Sequence, residues 1–169
     1  MEKILIKGGV PLKGEVEITG AKNAALGILP AAVLADSPSI IENLPDIQDI
    51  RNYRAILTKL GATLTETDNG LVIDPAGLRY ENIPQIKDEC TQMRASYYML
   101  GTLLSKYGDV CIPMPGGCDI GERPIDLHIK GFEALGATVR LFDDYIHVHA
   151  DKLVGTSIRS EEHTSELQS

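Results

Sequence analysis

The chain has 169 residues, 43% apolar and 24% charged, which is the make-up of a soluble globular protein with room for one good core. A formal charge of −8 with no basic stripe excludes a general nucleic-acid binder, although a local group of Lys and Arg can still meet a small anion. No apolar run approaches the length of a membrane span, the start Met1-Glu2-Lys3-Ile4 has no secretory pattern, and the odd set Cys90, Cys111 and Cys118 suits a reducing cytoplasm.

In chain order, the short apolar run of Lys3–Lys7 and the polar–apolar alternation of Glu15–Thr19 predict two strands joined by a Gly/Pro-rich turn. Gly20-Ala21-Lys22-Asn23-Ala24-Ala25 opens an alanine-rich helix that reaches about Ala35, with Pro30 kinking or restarting it. Ser39–Glu42 reads as a short strand. Asp46 is placed to cap a helix whose inner face carries Ile47, Ile50, Leu57 and Leu60. Gly61 ends that helix, and Ala62–Glu66 with Leu71–Asp74 form a hairpin around Asp68-Asn69-Gly70.

The second half repeats this plan. Thr91–Tyr107 is predicted helical, Asp109–Pro113 a strand, Pro124–Leu135 a helix, and Ala137–Phe142 with Tyr145–Ala150 a hairpin. Leu60-Gly61-Ala62-Thr63 returns as Leu135-Gly136-Ala137-Thr138, and Lys22 falls opposite Arg94, each expected one turn into its helix. Two repeats, about 21–88 and 89–154, therefore make up the body of the chain. Gly155-Thr156-Ser157-Ile158 looks like an opening strand. The last stretch, 159–169, is polar and aperiodic and reads as a non-native disordered tail.

Chemistry concentrates between Pro113 and Pro124. Three prolines, three glycines, Cys118, two carboxylates and Arg123 form a long strand-to-helix loop. Backbone N–H groups at a helix start, an adjacent Arg and a Gly-Gly pair suit a phosphorylated ligand, and positive potential biases a cysteine toward thiolate. An ordinary connecting loop with an incidental cysteine stays open on spacing alone. Lys22 and Asn23 open a helix just after a strand, where Lys can meet a phosphate and Asn a hydroxyl; a solvated first turn is the plainer reading. For Arg94 the plainer reading is a surface ion pair with Asp88 or Glu89. His128 could bond a ligand or serve structure. His147 and His149 share a strand face without a third ligand nearby, so no metal site is assigned and they read as solvent-facing. Tyr97, Tyr98 and Tyr107 read as core and interface aromatics.

Four stretches in order carry a resemblance: Gly20-Ala21-Lys22-Asn23-Ala24-Ala25-Leu26, Met93-Arg94-Ala95-Ser96, Pro115-Gly116-Gly117-Cys118 and Gly121-Glu122-Arg123-Pro124-Ile125-Asp126-Leu127-His128. Over residues 1 to about 158 the chain resembles the UDP-N-acetylglucosamine enolpyruvyl transferases. The related enolpyruvylshikimate-phosphate synthases usually carry Ser where Asn23 stands and lack the Pro-Gly-Gly-Cys loop. The resemblance implies an α/β (α+β) fold of repeated βαβαββ-type units, the inside-out α/β barrel, with about two of three units of the first lobe present. Residues 1–20 would belong to a second lobe, 21–158 to an incomplete first lobe with a lid loop at 113–124.

The implied reaction moves the enolpyruvyl group of phosphoenolpyruvate to the 3′-hydroxyl of UDP-N-acetylglucosamine and releases phosphate, without metal or organic cofactor. It is the first committed step of peptidoglycan synthesis, in the cytoplasm, and so bears on cell shape and division. By resemblance Lys22, Arg94 and Arg123 surround the phosphate and carboxylate, and Asn23 lies near the reacting sugar. Cys118 is the lid cysteine that fosfomycin alkylates. Arg123, Pro124, Ile125, Asp126, Leu127 and His128 line the uridine diphosphate. Family members run to more than twice this length, so the expectation is a truncated lobe with little or no activity, an exposed apolar edge and a missing second lobe as its structural partner. The alternatives are an enolpyruvyl transferase acting on shikimate phosphate and a non-catalytic UDP-sugar-binding half-enzyme.

Overall fold

The computed structural model describes residues 3–9, 11, 13–114, 116 and 125–158. Its first helix, α1 (Lys22–Ala31), is followed by one tight turn of 3₁₀ helix over Ala32–Leu34. Pro30 sits in the last turn of α1, and the chain restarts there as its missing N–H requires. β1 (Ser39–Ile41) then leads to α2 (Gln48–Leu60), which places Ile50, Tyr53, Ile56, Leu57 and Leu60 on one buried stripe. Gly61 closes α2 in the left-handed conformation, φ +106°. β2 (Thr63–Thr67) and β3 (Gly70–Asp74) form the hairpin.

β3 pairs antiparallel with β2 on one side and with β1 on the other, so the sheet order is β1-β3-β2. β1 and β2 thus run parallel with the hairpin's return strand between them, a split β-α-β arrangement. The second sheet repeats it. β4 (Asp109–Pro113), β5 (Thr138–Leu141) and β6 (Tyr145–His149) stand in the order β4-β6-β5, with Val110 opposite Val148 and Ile112 opposite Ile146. Before β4 come α3 (Lys87–Gln92), a 3₁₀ turn over Arg94–Tyr97 and α4 (Tyr98–Tyr107); α5 (Asp126–Ala134) follows it.

A continuous core joins the two sheets. α1 packs on both α2 and α4, and Leu29, Val33, Tyr53, Ile56, Ile73, Met99, Leu103, Val110, Ile112, Ile146 and Val148 belong to one buried cluster. α5 is the exception: none of its residues is fully buried, and Leu127 is 41% exposed.

Several expectations are corrected. The strands expected over Lys3–Lys7 and Glu15–Thr19 are not present: the described residues there form no regular structure, and Leu5 is 96% exposed. Alternation produces a strand only where an edge offers hydrogen bonds and a layer covers the apolar face, and this segment has neither among the described residues. Asp46 does not cap α2. Ile47 occupies that position, and Asp46 instead accepts two bonds from Arg51, at 2.9 Å each. The single helix expected over Thr91–Tyr107 begins earlier, at Lys87, and breaks at Met93, whose backbone is extended. α5 spans Asp126–Ala134 rather than Pro124–Leu135; Pro124 lies outside the described residues. Gly155–Ile158 forms no strand, and the tail, apart from that, falls outside the described residues.

The shared core gives a direct expectation. Ile56→Ala, at a fully buried site, should cost about 2–5 kcal/mol in urea unfolding, whereas Ile40→Ala on the exposed edge of β1 should cost under about 1 kcal/mol.

Candidate functional site

Lys22 is the first residue of α1, not one turn in, and its place is set from behind. The Gly20 N–H donates to the Asn43 side-chain oxygen at 3.1 Å, and a Cβ on Gly20 would fall onto the Asn43 main-chain carbonyl. Only glycine lets the chain enter α1 this close to the β1–α2 connection. The Lys22 ammonium then reaches across to Asp49, in the first turn of α2, at 2.6 Å, with the lysine side chain 54% exposed. Asn23 follows on the exposed surface of α1.

Arg94 opens the 3₁₀ turn that precedes α4. Its guanidinium lies 5.9 Å from the Tyr97 ring centroid, within cation–π reach. Tyr97 also meets the His128 ring edge-to-face, with centroids 4.7 Å apart. Arg94 and His128, far apart in sequence, therefore come together on one aromatic ring. The ion pair expected as the plain reading of Arg94 does not form: Glu89 pairs with Lys59 at 2.7 Å, and among the described residues no carboxylate pairs with Arg94.

α2 links the two cations. Asp49 holds Lys22; one turn on, Tyr53 is fully buried and its hydroxyl donates to the Ala95 carbonyl at 2.6 Å, next to Arg94. Asp49, Tyr53 and Asn43 were not singled out in the sequence. Only the four-residue spacing of Asp49 and Tyr53 on an amphipathic helix hinted that they share a face.

The charge on Arg94 acts on its neighbours. Burial, then the Arg94 charge, holds the His128 pKa below the usual histidine range, with Asp126 opposing, so the imidazole is neutral near pH 7. Ile125 caps α5 half-buried against the core, while Asp126 and Leu127 stand exposed beside it. Cys118, Arg123 and Pro124 lie outside the described residues. Neither described thiol is poised for attack: burial pushes Cys90 up to about 11, and burial with the nearby Asp109 charge raises Cys111.

His147 and His149 are not merely solvent-facing. Asp109 on the paired strand β4 lies 3.2 Å from the His147 Nε2 and 2.9 Å from the His149 Nδ1. Among the described residues no group of three metal-type side chains could hold an ion. Of the tyrosines, Tyr107 packs edge-to-face on Tyr80, as expected of an interface aromatic.

A family model described as EPSP synthase (3-phosphoshikimate 1-carboxyvinyltransferase) matches residues 6–168. The chain belongs to the EPSP synthase family. Within it, the chain is 52% identical over 94% of its length to UDP-N-acetylglucosamine 1-carboxyvinyltransferase 3 of Caldanaerobacter subterraneus subsp. tengcongensis, of which it covers 37%. It is 50% identical, over 94% of its length, to UDP-N-acetylglucosamine 1-carboxyvinyltransferase 2 of Clostridium acetobutylicum and covers 38% of that protein. The chain thus spans little more than a third of these relatives. Among solved structures, the enolpyruvyl transferase NikO from Streptomyces tendae aligns with a TM-score of 0.64 at 23% identity, over 87% of this chain and 32% of that one. The EPSP synthase family fold, α/β, is therefore this chain's fold.

Two outcomes follow for the described site. Cys90 is fully buried with its thiol pushed up to about 11, so iodoacetamide near pH 7.5 should leave it unlabelled in the native protein and label it after denaturation. The His128 ring proton, followed by NMR, should titrate with a midpoint below the ordinary value of about 6.5, and Arg94→Ala should move that midpoint upward. Because His128 is held neutral in the fold, protonation works against folding as pH drops below the unfolded value.

Proposed function

We propose that this chain is part of an enolpyruvyl transferase that moves the enolpyruvyl group of phosphoenolpyruvate onto the 3′-hydroxyl of UDP-N-acetylglucosamine and releases phosphate. The observation that carries this reading is the meeting of Arg94 and His128 on Tyr97, tied through α2 to Lys22. The names of relatives at 50–52% identity support the same sugar nucleotide.

In this reading Lys22 and Arg94 meet the phosphate and carboxylate of phosphoenolpyruvate, with Arg123 joining them. Two anionic substrates at one site repel each other, and fixed cations offset that repulsion most where water is excluded. Lys22 reaches a phosphate by sharing or leaving Asp49, so Asp49 fixes its direction in the free protein. Asn23, on the same turn, serves the sugar hydroxyl. Ile125, Asp126, Leu127 and the neutral His128 run along the uridine diphosphate, where an uncharged imidazole can donate one hydrogen bond and accept another. Cys118 is the covalent and proton-transfer residue of the lid. Addition to the enol phosphate needs a positioned acid and water exclusion, the work of a loop that carries its own thiol.

The reaction belongs to a longer protein, because the chain covers only 37–38% of its relatives; alone it should bind weakly and turn over little or nothing. Its place is the cytoplasm, in cell-wall synthesis. Among the described residues no helix is long and apolar enough to cross a membrane.

Intact-mass labelling with fosfomycin tests the reading. A single adduct, lost in Cys118→Ala and enhanced by UDP-N-acetylglucosamine, is expected. Enhancement by shikimate 3-phosphate in place of the sugar nucleotide would transfer the reading to that substrate class, and labelling spread evenly over all three thiols would overturn it.

A further inference from the structure

Beyond β4 the chain returns to touch the turn that carries Arg94. The Gly116 N–H donates to the Cys90 carbonyl at 2.9 Å. The same oxygen faces the Met93 N–H at 3.3 Å and the Ser96 hydroxyl at 3.4 Å. A carbonyl has two lone pairs, so three donors compete for it, and the Gly116 contact is the shortest. It is also the one that comes from outside the turn. Cys90 and Ser96 are fully buried, so water does not substitute for a lost partner at no cost.

The approach leaves no room for a side chain. A Cβ on Gly116 would land on the Thr91 carbonyl oxygen, with the Thr91 carbonyl carbon and Cα also inside contact distance. These are backbone atoms and cannot rotate out of the way. On the other side of the turn, the Tyr53 hydroxyl holds the Ala95 carbonyl at 2.6 Å. Between the two anchors lies Met93, whose extended backbone interrupts the helix and turns Arg94 onto Tyr97. Such a bend has no helical hydrogen-bond ladder to hold it, so its geometry depends on these outside partners.

We propose that Gly116 is a positioning residue for Arg94. Its backbone clamps the Cys90–Tyr97 turn and so fixes the guanidinium on Tyr97 beside His128. The glycine serves close approach rather than freedom of rotation. The proposal deepens the reading of Arg94 as a substrate cation and rests on it only for the ligand.

Gly116→Ala tests it, with Gly27→Ala as the control because a Cβ there meets open space. In the parent chain the Arg94 Nε–H resonance should be displaced by the Tyr97 ring current. Gly116→Ala should lose that displacement and raise the His128 titration midpoint toward that of Arg94→Ala; Gly27→Ala should change neither. Unchanged Arg94 and His128 signals in Gly116→Ala would overturn the proposal. If Gly116→Ala fails to fold by circular dichroism, hydrogen exchange of the parent decides: a Gly116 amide protected like that of Ile112 is expected, and exchange at the free-peptide rate overturns the clamp. Phosphoenolpyruvate titrated into the parent far enough for weak binding to register reports separately on the ligand: no shift at Arg94 or Lys22 at the end of that titration removes the substrate reading, while the clamp is judged by the resonances above.

Discussion

The structure turns on the Tyr53 hydroxyl. A phenol buried to zero exposure must find an acceptor, because an unpaired hydroxyl in an apolar core costs on the order of 1–3 kcal/mol. Tyr53 finds it in the Ala95 carbonyl, which belongs to the other repeat. One bond thereby satisfies a buried hydroxyl and a half-buried carbonyl and ties α2 to the turn before α4. Burial holds the phenol protonated at any physiological pH, so this tie does not switch. The apolar faces of α1, α2 and α4 can slide over one another at modest cost, since dispersion is not directional. A short, directional hydrogen bond removes that freedom, and with it fixes where Arg94 stands relative to Lys22.

Charge acts at two scales. The chain as a whole is acidic, which keeps it soluble and repels anions at a distance. Within the Debye length, about 8 Å at physiological salt, only the nearest groups count. There the pattern is deliberate: Lys22 is held by Asp49, and Arg94 rests on an aromatic face instead of a carboxylate. A cation stacked on tyrosine keeps most of its capacity to donate hydrogen bonds, whereas one locked to a carboxylate does not.

Much of the fold was legible. β4 spans Asp109–Pro113 as its composition predicts, Gly61 marks the end of α2, and Asp68-Asn69-Gly70 marks the first hairpin. These are local signals, written in one stretch of chain. The misreadings come from contacts elsewhere in the chain, made in some cases and missing in others. Asp46 has the chemistry of a cap, but Arg51 takes it. The helical period runs through Met93, yet its backbone is extended there, and the Cys90 carbonyl accepts from both the Met93 and the distant Gly116 N–H. The alternation of Glu15–Thr19 is real, but a strand is a property of two chains of backbone, and only one is present in the described residues. For the site, the repeat already set Lys22 opposite Arg94. What it could not supply were Asn43, Asp49 and Tyr53, which act only through contacts made in three dimensions.

α5 has a further implication. It contributes His128 to the Tyr97 cluster, yet buries none of its own residues completely. A nine-residue helix is too short to persist in water on intrinsic propensity, so its order is borrowed from few contacts: Phe132 and Ile125 against the core, and His128 against Tyr97. With so few buried contacts to break, α5 is held less tightly than α1, α2 and α4, each of which buries several residues. Anything that grips His128 tightens the whole helix. Binding energy at that imidazole is spent partly on folding, so the apparent affinity of a ligand there is a measure of how well α5 was ordered beforehand.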